Sequence, residues 1–189
     1  MTTPRSGRST ANRFLDHPDD LRKREWLRAY LIACRESKAR SRDRVVLSLT
    51  AGKHPGWLTE LEDRTNSLFW KFDSINAWGR VVGIEVTVHP KLEPVLPEEL
   101  IGPLARTGIA NSAFSAVGFL EYCRNWREYV GISMKELEMA LDINHGSLWN
   151  IEQSSNSRIS TMQKYIRAMG GELEFHLDPM VLRNENDPF

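Results

Sequence analysis

The sequence predicts a mainly α-helical protein in which a bundle of about four helices, followed by one β-strand, occurs twice. Apolar residues recur at helical spacing over residues 24–90 and again over residues 117–179. Each stretch ends in an alternating apolar and polar segment, at 82–88 and 172–177, which predicts a half-exposed strand. We expect the two strands to lie side by side in a small sheet, either within one chain or between two chains, because an isolated strand leaves its backbone groups unpaired.

The duplication is also visible in single residues. Leu58, Leu61 and Glu62 lie 90 positions before Leu148, Ile151 and Glu152. A second set matches at an offset of 92: Leu27, Tyr30, Arg35, Ser41, Val45 and Leu49 correspond to Phe119, Tyr122, Arg127, Ser133, Leu137 and Leu141. The offset changes at the loop 52–56, which is typical of a duplicated unit with a small loop insertion.

The first bundle is predicted to occupy residues 18–90, after a flexible basic tail at 1–17. Pro18, Asp19 and Asp20 favour a helix start, and this helix runs to about residue 38. Its predicted apolar positions are Leu21, Trp26, Leu27, Tyr30, Leu31 and Cys34, and its predicted outer face carries Arg22, Lys23, Arg24, Arg28 and Arg35. Ser41 caps a second helix through about 51, and a third extends through 64. Asn66 and Ser67 cap a fourth, which stops at Gly79.

Residues 91–115 are predicted to be a linker, because they are rich in proline and include a flexible stretch at 107–111. One short helix at 97–101 interrupts it. The second bundle follows at 116–180, and a polar tail occupies 181–189. The first helix of the second bundle is predicted at about 114–129 and ends at Gly131.

The second bundle has clearer helix boundaries than the first. Ser133 and Glu136 form a predicted capping box, and Asn144 caps the third helix. Ser157 or Ser160 is expected to cap the fourth helix. That helix directs Ile159, Met162, Ile166 and Met169 inward and stops at Gly170 and Gly171.

The net charge of zero and pI of about 7.0 conceal a charge polarity. Residues 1–44 carry 12 Lys or Arg against 6 Asp or Glu, which leaves 13 against 19 in the rest of the chain. Three explanations of this polarity remain open: phosphate contact by a basic arm, attraction between two parts of the protein, and ordinary solvated helix charges.

Composition and motifs disfavour several function classes. No apolar run is long enough for a membrane span or a signal peptide, so we expect a cytoplasmic protein with no membrane partner. Cys34 and Cys123 are expected to be reduced core thiols, although a disulfide between them is possible in principle. The five histidines show no metal-ligand spacing, and no glycine-rich phosphate loop follows a strand. We therefore expect no metal, no cofactor and no catalysis.

The second bundle resembles the helix-turn-helix of the Cro and lambda-repressor family, also called the Xre type. The resemblance rests on Arg127-Glu128, Gly131-Ile132-Ser133, Glu136-Leu137, Leu141-Asp142-Ile143-Asn144, Leu148 and Ile151-Glu152. The segment 169–177 also resembles a subgroup of these regulators, including antitoxins, in which a strand follows the bundle. The resemblance implies sequence-specific binding of double-stranded DNA, with the third helix in the major groove.

By this resemblance, the DNA-binding residues of the second bundle are Lys135, Asn144, His145, Ser147, Trp149, Asn150 and Gln153, with Met134 and Gly146 at the same face. Asn150 can bond an adenine edge, while His145 and Ser147 can donate to bases or phosphates. This sequence departs from the family, which often has glutamine at the positions of Met134 and His145. Trp149 suits either a thymine methyl or a protein contact.

The first bundle resembles the same family less closely, because its turn is longer and contains Pro55. Its DNA-contacting candidates are Arg40, Arg42, Arg44, Lys53, His54 and Thr59. Trp57, Glu60 and Asp63 share the third helix with Thr59, and carboxylates there repel phosphates. We expect this degenerate copy to have lost base reading and to serve mainly as a scaffold.

Two functions remain open from the sequence. The first is a repressor-like transcriptional regulator with a tandem pair of helix-turn-helix modules. The alternative is an antitoxin-like or adaptor protein that binds a protein partner, such as a toxin or a second subunit, through the same modules. The neutral charge, Trp57 and Trp149 favour the alternative.

Overall fold

The computed structural model describes residues 17–37, 57–63, 70–110, 116–154 and 157–179. The fold is mainly α, with a two-stranded antiparallel sheet, as the sequence predicts. In chain order the described elements are α1 (Pro18–Ser37), α2 (Trp57–Glu62), α3 (Phe72–Val82), β1 (Ile84–Lys91), a 3-10 turn (Glu98–Leu100), α4 (Pro103–Ala110), α5 (Ala116–Tyr129), α6 (Met134–Leu141), α7 (His145–Gln153), α8 (Ile159–Ala168) and β2 (Glu172–Pro179). The helix expected at 41–51 lies outside the described residues.

The predicted pairing of the two strands is confirmed, and it is symmetrical. Thr87 lies opposite His176 and Val88 lies opposite Phe175. Phe175 follows Thr87 by 88 positions, and His176 follows Val88 by 88. Exchanging the two halves of the chain therefore reproduces the same pairs, as in a dimer with a two-fold axis.

A second contact between the two halves follows the same pseudo-two-fold symmetry. Lys71 forms an isolated antiparallel bridge with Arg158, and each residue directly precedes an equivalent helix, α3 or α8. The Ile159 N–H donates to the Trp70 carbonyl at 2.9 Å. The two halves thus meet both along their strands and at the starts of their fourth helices.

The first helix of each half packs against the strand of the other half, α1 against β2 and α5 against β1. On α1, Asp20 accepts from Arg167 at 2.7 Å, and Lys23 donates to Glu172 at 2.8 Å. Arg24, which is fully buried, donates to Gln163. Lys23 thus pairs with an acidic residue of the second half, whereas the Asp20–Arg167 pair joins the halves with the opposite arrangement of charge.

One hydrophobic core serves both halves. Its fully buried members come from every layer of the structure and include Leu27, Leu31, Leu58, Ile75, Val88, Leu137, Leu148, Ile166 and Leu173. Among the described residues, no helix combines the length and the apolar content that a membrane crossing requires. Cys34 and Cys123 are both free thiols, half-buried and buried respectively.

The prediction for the two faces of α1 is partly wrong. Arg24 and Arg35, assigned to the outer face, are buried, whereas Leu21, Trp26 and Tyr30 are exposed. The two aromatic rings stack on one another at a centroid distance of 5.7 Å. Helical spacing locates a face but assumes that charged residues point outward, and here buried partners reverse that rule for both arginines.

The limits predicted for the fourth helix of the first half are also wrong. Helix α3 begins at Phe72, after Lys71, and ends at Val82 with Gly83 as its C-cap, rather than stopping at Gly79. Gly83 adopts a left-handed conformation with φ 76°. Gly79 lies inside the helix, where a Cβ atom would come within 2.6 Å of Val86 Cγ2 and 2.7 Å of the Ile84 carbonyl oxygen. This glycine therefore permits close packing of α3 on β1 instead of stopping the helix.

The stretch 107–110, predicted to be flexible, belongs to helix α4, which packs along α5. The Glu121 carboxylate accepts from the Ala105 N–H at 2.8 Å, so a side chain of α5 satisfies one of the unpaired donors in the first turn of α4. Leu92, Leu96 and Ala105 are buried. The segment between the two halves is thus part of the core.

Helix α8 is preceded by Arg158 and has no side-chain cap, so the prediction of a cap at Ser157 or Ser160 is wrong. Both serines are buried. The bond from Ile159 to Trp70 takes one of the terminal donors instead. The inward residues Ile159, Met162, Ile166 and Met169 are buried as predicted.

Candidate nucleic-acid interface

Helices α6 and α7 are joined by a tight turn whose caps match the sequence prediction. Ser133 accepts from the Glu136 N–H, and Glu136 accepts from the Ser133 N–H at 2.7 Å, which completes the capping box. Asp142 closes α6 in a left-handed conformation with φ 52°. Asn144 then caps α7 by accepting from the Ser147 N–H at 2.8 Å. These local bonds fix the angle at which α7 leaves the turn.

A buried ion pair holds α7 against α5. Arg127 Nε donates to Glu152 Oε1 at 3.0 Å, and the exposed fractions of these side chains are 7% and 4%. The Tyr165 hydroxyl donates to the same carboxylate oxygen at 2.6 Å. Burial alone would lower the pKa of Arg127, but the hydrogen bond and charge of Glu152 raise it. Burial and the Glu152 charge likewise raise the pKa of Tyr165, which keeps its hydroxyl a donor.

The first half contains the same device at the matching positions. Arg35 Nε donates to Glu62 Oε1 at 2.7 Å, and both side chains are buried. Arg28 adds a bond to the Glu62 carbonyl at 3.1 Å. Each half therefore fixes its third helix, α2 or α7, to its first helix through one arginine and one glutamate.

Helix α7 carries most of the predicted reading residues, and its first turn projects into solvent. Residues 144–147 are all exposed. Only Leu148 and Glu152 of α7 are buried, while Trp149 is 54% exposed. The predicted DNA-contacting residues that are exposed in this half are Lys135, Asn144, His145, Ser147, Trp149, Asn150 and Gln153. The buried side of α7 is thus narrow, and the opposite side is open.

The charges around this face are mixed. His145 Nδ1 lies 2.6 Å from Glu138 Oε1, and Glu136 and Asp142 are also exposed. Helix α7 contains no Lys or Arg, and α6 contributes a single cation, Lys135. Any phosphate contact at this face therefore depends on backbone amides, neutral donors and cations from outside α7.

Two such cations, one from each half, are related by the pseudo-two-fold symmetry of the halves. Lys71 and Arg158 are both exposed, lie opposite one another, and precede the N-terminal ends of α3 and α8. The positive end of each helix dipole adds to their charge. Sequence reasoning did not select these residues, although the basic residue at the same place in both repeats was a usable signal.

The first half offers a different surface. Thr59 and Glu60 are exposed on α2, and Asp63 is exposed directly after it. Leu58, Leu61 and Glu62 are buried. Arg40, Arg42, Arg44, Lys53 and His54, the other predicted contacts of this half, lie outside the described residues.

Comparisons with protein-family models, with curated proteins and with solved structures found no match.

Proposed function

We propose that this chain is a DNA-binding transcriptional regulator of the Cro and lambda-repressor type that uses two helix-turn-helix modules within one polypeptide. The observation that carries the proposal is the projecting first turn of α7, held from behind by the buried Arg127–Glu152 pair. A helix that presents polar side chains such as Ser147 and Asn150 beyond a capped turn is suited to entry into a major groove.

The pseudo-symmetry supports the same proposal. Regulators of this type ordinarily form dimers that place two recognition helices about 34 Å apart, one turn of DNA. Here the strands β1 and β2 join the two halves within one chain. The halves differ in sequence, and the proposal assigns base reading to the second half and a supporting role to the first.

Lys71 and Arg158 have a specific role in this proposal. Their charges contact phosphates between the two modules and compensate for the absence of Lys and Arg on α7. Phosphate contacts orient a protein on DNA without reading sequence, whereas base contacts by α7 supply the specificity.

The salt dependence of binding tests this role. The logarithm of the affinity for duplex DNA falls with the logarithm of salt concentration by about 0.9 for each phosphate contact. The double variant Lys71→Ala, Arg158→Ala is expected to have a shallower slope, by the amount that about two phosphate contacts contribute. Its preferred DNA sequence should be unchanged. The matched control is Lys91→Ala, an exposed lysine on β1. A slope unchanged in the double variant would reject the phosphate contacts.

A protein-binding adaptor is the second candidate, and exposed apolar side chains favour it. Met139 is 66% exposed on α6 and Trp149 is 54% exposed on α7, so the candidate reading face also has apolar character. An adaptor of this kind would bind DNA weakly at all sequences. Two results would favour this candidate over DNA recognition: selection from a random duplex library that enriches no sequence, and elution from heparin at low salt.

A further inference from the structure

A contact between α6 and α7 determines which ring nitrogen of His145 carries a proton. His145 Nδ1 lies 2.6 Å from Glu138 Oε1. An ionised carboxylate can only accept a hydrogen bond, so at neutral pH the proton in this bond belongs to Nδ1. A neutral imidazole has a single N–H group, and its other nitrogen is an acceptor. Neutral His145 therefore keeps Nε2 without a proton.

The ring is held where a ligand can reach it. The side chain of His145 is 70% exposed, and within the part of the chain that the structure describes Nε2 makes no hydrogen bond. Glu138 is only 22% exposed, so its carboxylate is held against the protein. Asn144 caps α7 directly before His145. The carboxylate and the cap together fix the ring at the first position of α7, with Nε2 accessible.

Among the described residues, Glu138 is the acidic group that bonds to His145, although other charged groups lie on the neighbouring helices. The charged residues of α6 and its C-cap are Lys135, Glu136, Glu138 and Asp142. Glu136 is bonded to Ser133 in the capping box, and Asp142 is exposed at the turn. From α5, which also packs on α7, Arg127 binds the buried Glu152, and Glu128 contacts Arg127. The position of the His145 proton thus depends on one carboxylate.

We propose that Glu138 makes His145 a hydrogen-bond acceptor in the major groove, so that His145 selects adenine or cytosine at one base pair. The exocyclic amino groups of adenine and cytosine are donors in that groove, whereas guanine presents only the acceptors O6 and N7. An acceptor at Nε2 matches the two amino groups and is repelled by guanine. This inference rests on the proposed function, since it requires α7 to enter the groove.

Protonation reverses the hydrogen-bonding character of Nε2. Histidine gains its second proton between about pH 8 and pH 5, and both ring nitrogens then donate. Nδ1 stays bonded to Glu138, while Nε2 becomes a donor that suits guanine O6 or N7. The base preferred at this position therefore changes with pH.

NMR spectra of the histidine ring nitrogens in the DNA-free protein test the role of Glu138. The His145 signals are those missing from His145→Ala, and at pH 8 the native chain is expected to carry the proton on Nδ1. Glu138→Ala removes the acceptor and should return the proton largely to Nε2, the form that neutral histidine prefers in water. Glu128→Ala is the matched control, because it removes a carboxylate that contacts Arg127 instead. A native ring protonated on Nε2, or an unchanged ring in Glu138→Ala, would overturn the proposal.

Four duplexes that differ at a single base pair test base selection. That base pair is the one at which His145→Ala abolishes the preference of the native chain. At pH 8, the native chain and Glu128→Ala should bind adenine or cytosine there about three- to tenfold more tightly than guanine. This preference should weaken in Glu138→Ala, and in the native chain it should move toward guanine at pH 5.5.

The outcomes separate this inference from the proposed function. A native chain that enriches no sequence from random duplexes would reject the proposed function and this inference with it. A native chain that enriches a sequence would overturn this inference alone in any of three cases: His145→Ala changes no base preference, guanine is preferred at pH 8, or Glu138→Ala keeps the native preference.

Discussion

The two halves of this chain share their internal framework and differ on their outer surfaces. Both retain a buried Arg–Glu pair, Arg35–Glu62 and Arg127–Glu152, and both end in a strand of the same sheet. Their third helices, however, expose different chemistry: Glu60 and Thr59 on α2, against Ser147, Trp149 and Asn150 on α7. The two halves thus share the groups that position the third helix and differ in the groups that the proposal assigns to ligand contact.

The largest expected effect tests whether the two ion pairs are equivalent. Arg127→Ala leaves Glu152 buried without its cation, and the loss in the free energy of unfolding is expected to be about 3–5 kcal/mol. Arg35→Ala should cost a similar amount, because Glu62 is equally buried. Urea unfolding monitored by circular dichroism measures both.

Glu128→Ala is the matched control for that comparison. Glu128 also contacts Arg127, but its side chain is 61% exposed, so its removal should cost less than about 1 kcal/mol. A large loss for Arg127→Ala with a negligible one for Arg35→Ala would mean that the pair positions the third helix in one half only.

The same substitution at two glycines separates framework from surface. Gly79→Ala forces a methyl group against Val86 and the Ile84 carbonyl and is expected to cost about 1–3 kcal/mol. Gly146→Ala on α7 meets no atom closer than 3.7 Å, so higher helix propensity should make it neutral or stabilising by up to about 1 kcal/mol. Thermal unfolding of the two variants measures the contrast, and comparable destabilisation by both would show that α7 is more tightly packed than its exposure indicates.

A smaller effect is expected at the cap of α6. Ser133→Ala removes the side-chain acceptor of the Glu136 N–H and should cost about 1 kcal/mol. Hydrogen bonds from the backbone and then the side chain of Ser133 lower the pKa of Glu136. A lowered pKa in the folded state stabilises the protein above the unfolded pKa, and this contribution is lost as pH falls through the folded value.

Unfolding curves at neutral and acidic pH measure that cap. The stability difference between the native chain and Glu136→Gln should be present at pH 7 and shrink as pH falls below the ordinary range of a glutamate. A difference that grew on acidification would contradict the assigned bonds.

Local signals in the sequence predicted the elements that local bonds determine. The caps at Ser133 and Asn144 and the two alternating strands are of this kind, because the residues that define them are neighbours in the chain. The prediction that the strands pair is confirmed, and it rested on the general rule that an isolated strand leaves its backbone groups unpaired.

Features that depend on distant partners were beyond local reasoning. Gly79 was assigned to a helix end, yet its role is set by Val86 on the neighbouring strand. The region of α4 looked like a linker, because the glutamate that satisfies its first turn lies on α5. The sequence predicts that Arg35 faces solvent, because its partner Glu62 becomes adjacent to it only in the folded chain.

The candidate interface shows the same division. Exposure of the α7 residues agrees with the predicted face, but their contact with DNA remains a prediction. The cations Lys71 and Arg158 are 87 positions apart in sequence and became a candidate pair only through their bridge in the structure.

The most direct test of the account is selection of preferred sequences from a random duplex DNA library by the native chain, by Asn150→Ala and by Thr59→Ala. The account predicts that the native chain enriches a defined sequence and that Asn150→Ala weakens binding to it by roughly 1–3 kcal/mol at fixed salt, with lost discrimination at one base pair. Thr59→Ala should leave affinity and preference unchanged, because the proposal gives the first half a supporting role without base contacts. No enriched sequence for the native chain, or equal losses in the two variants, would contradict the proposed division between a reading half and a supporting half.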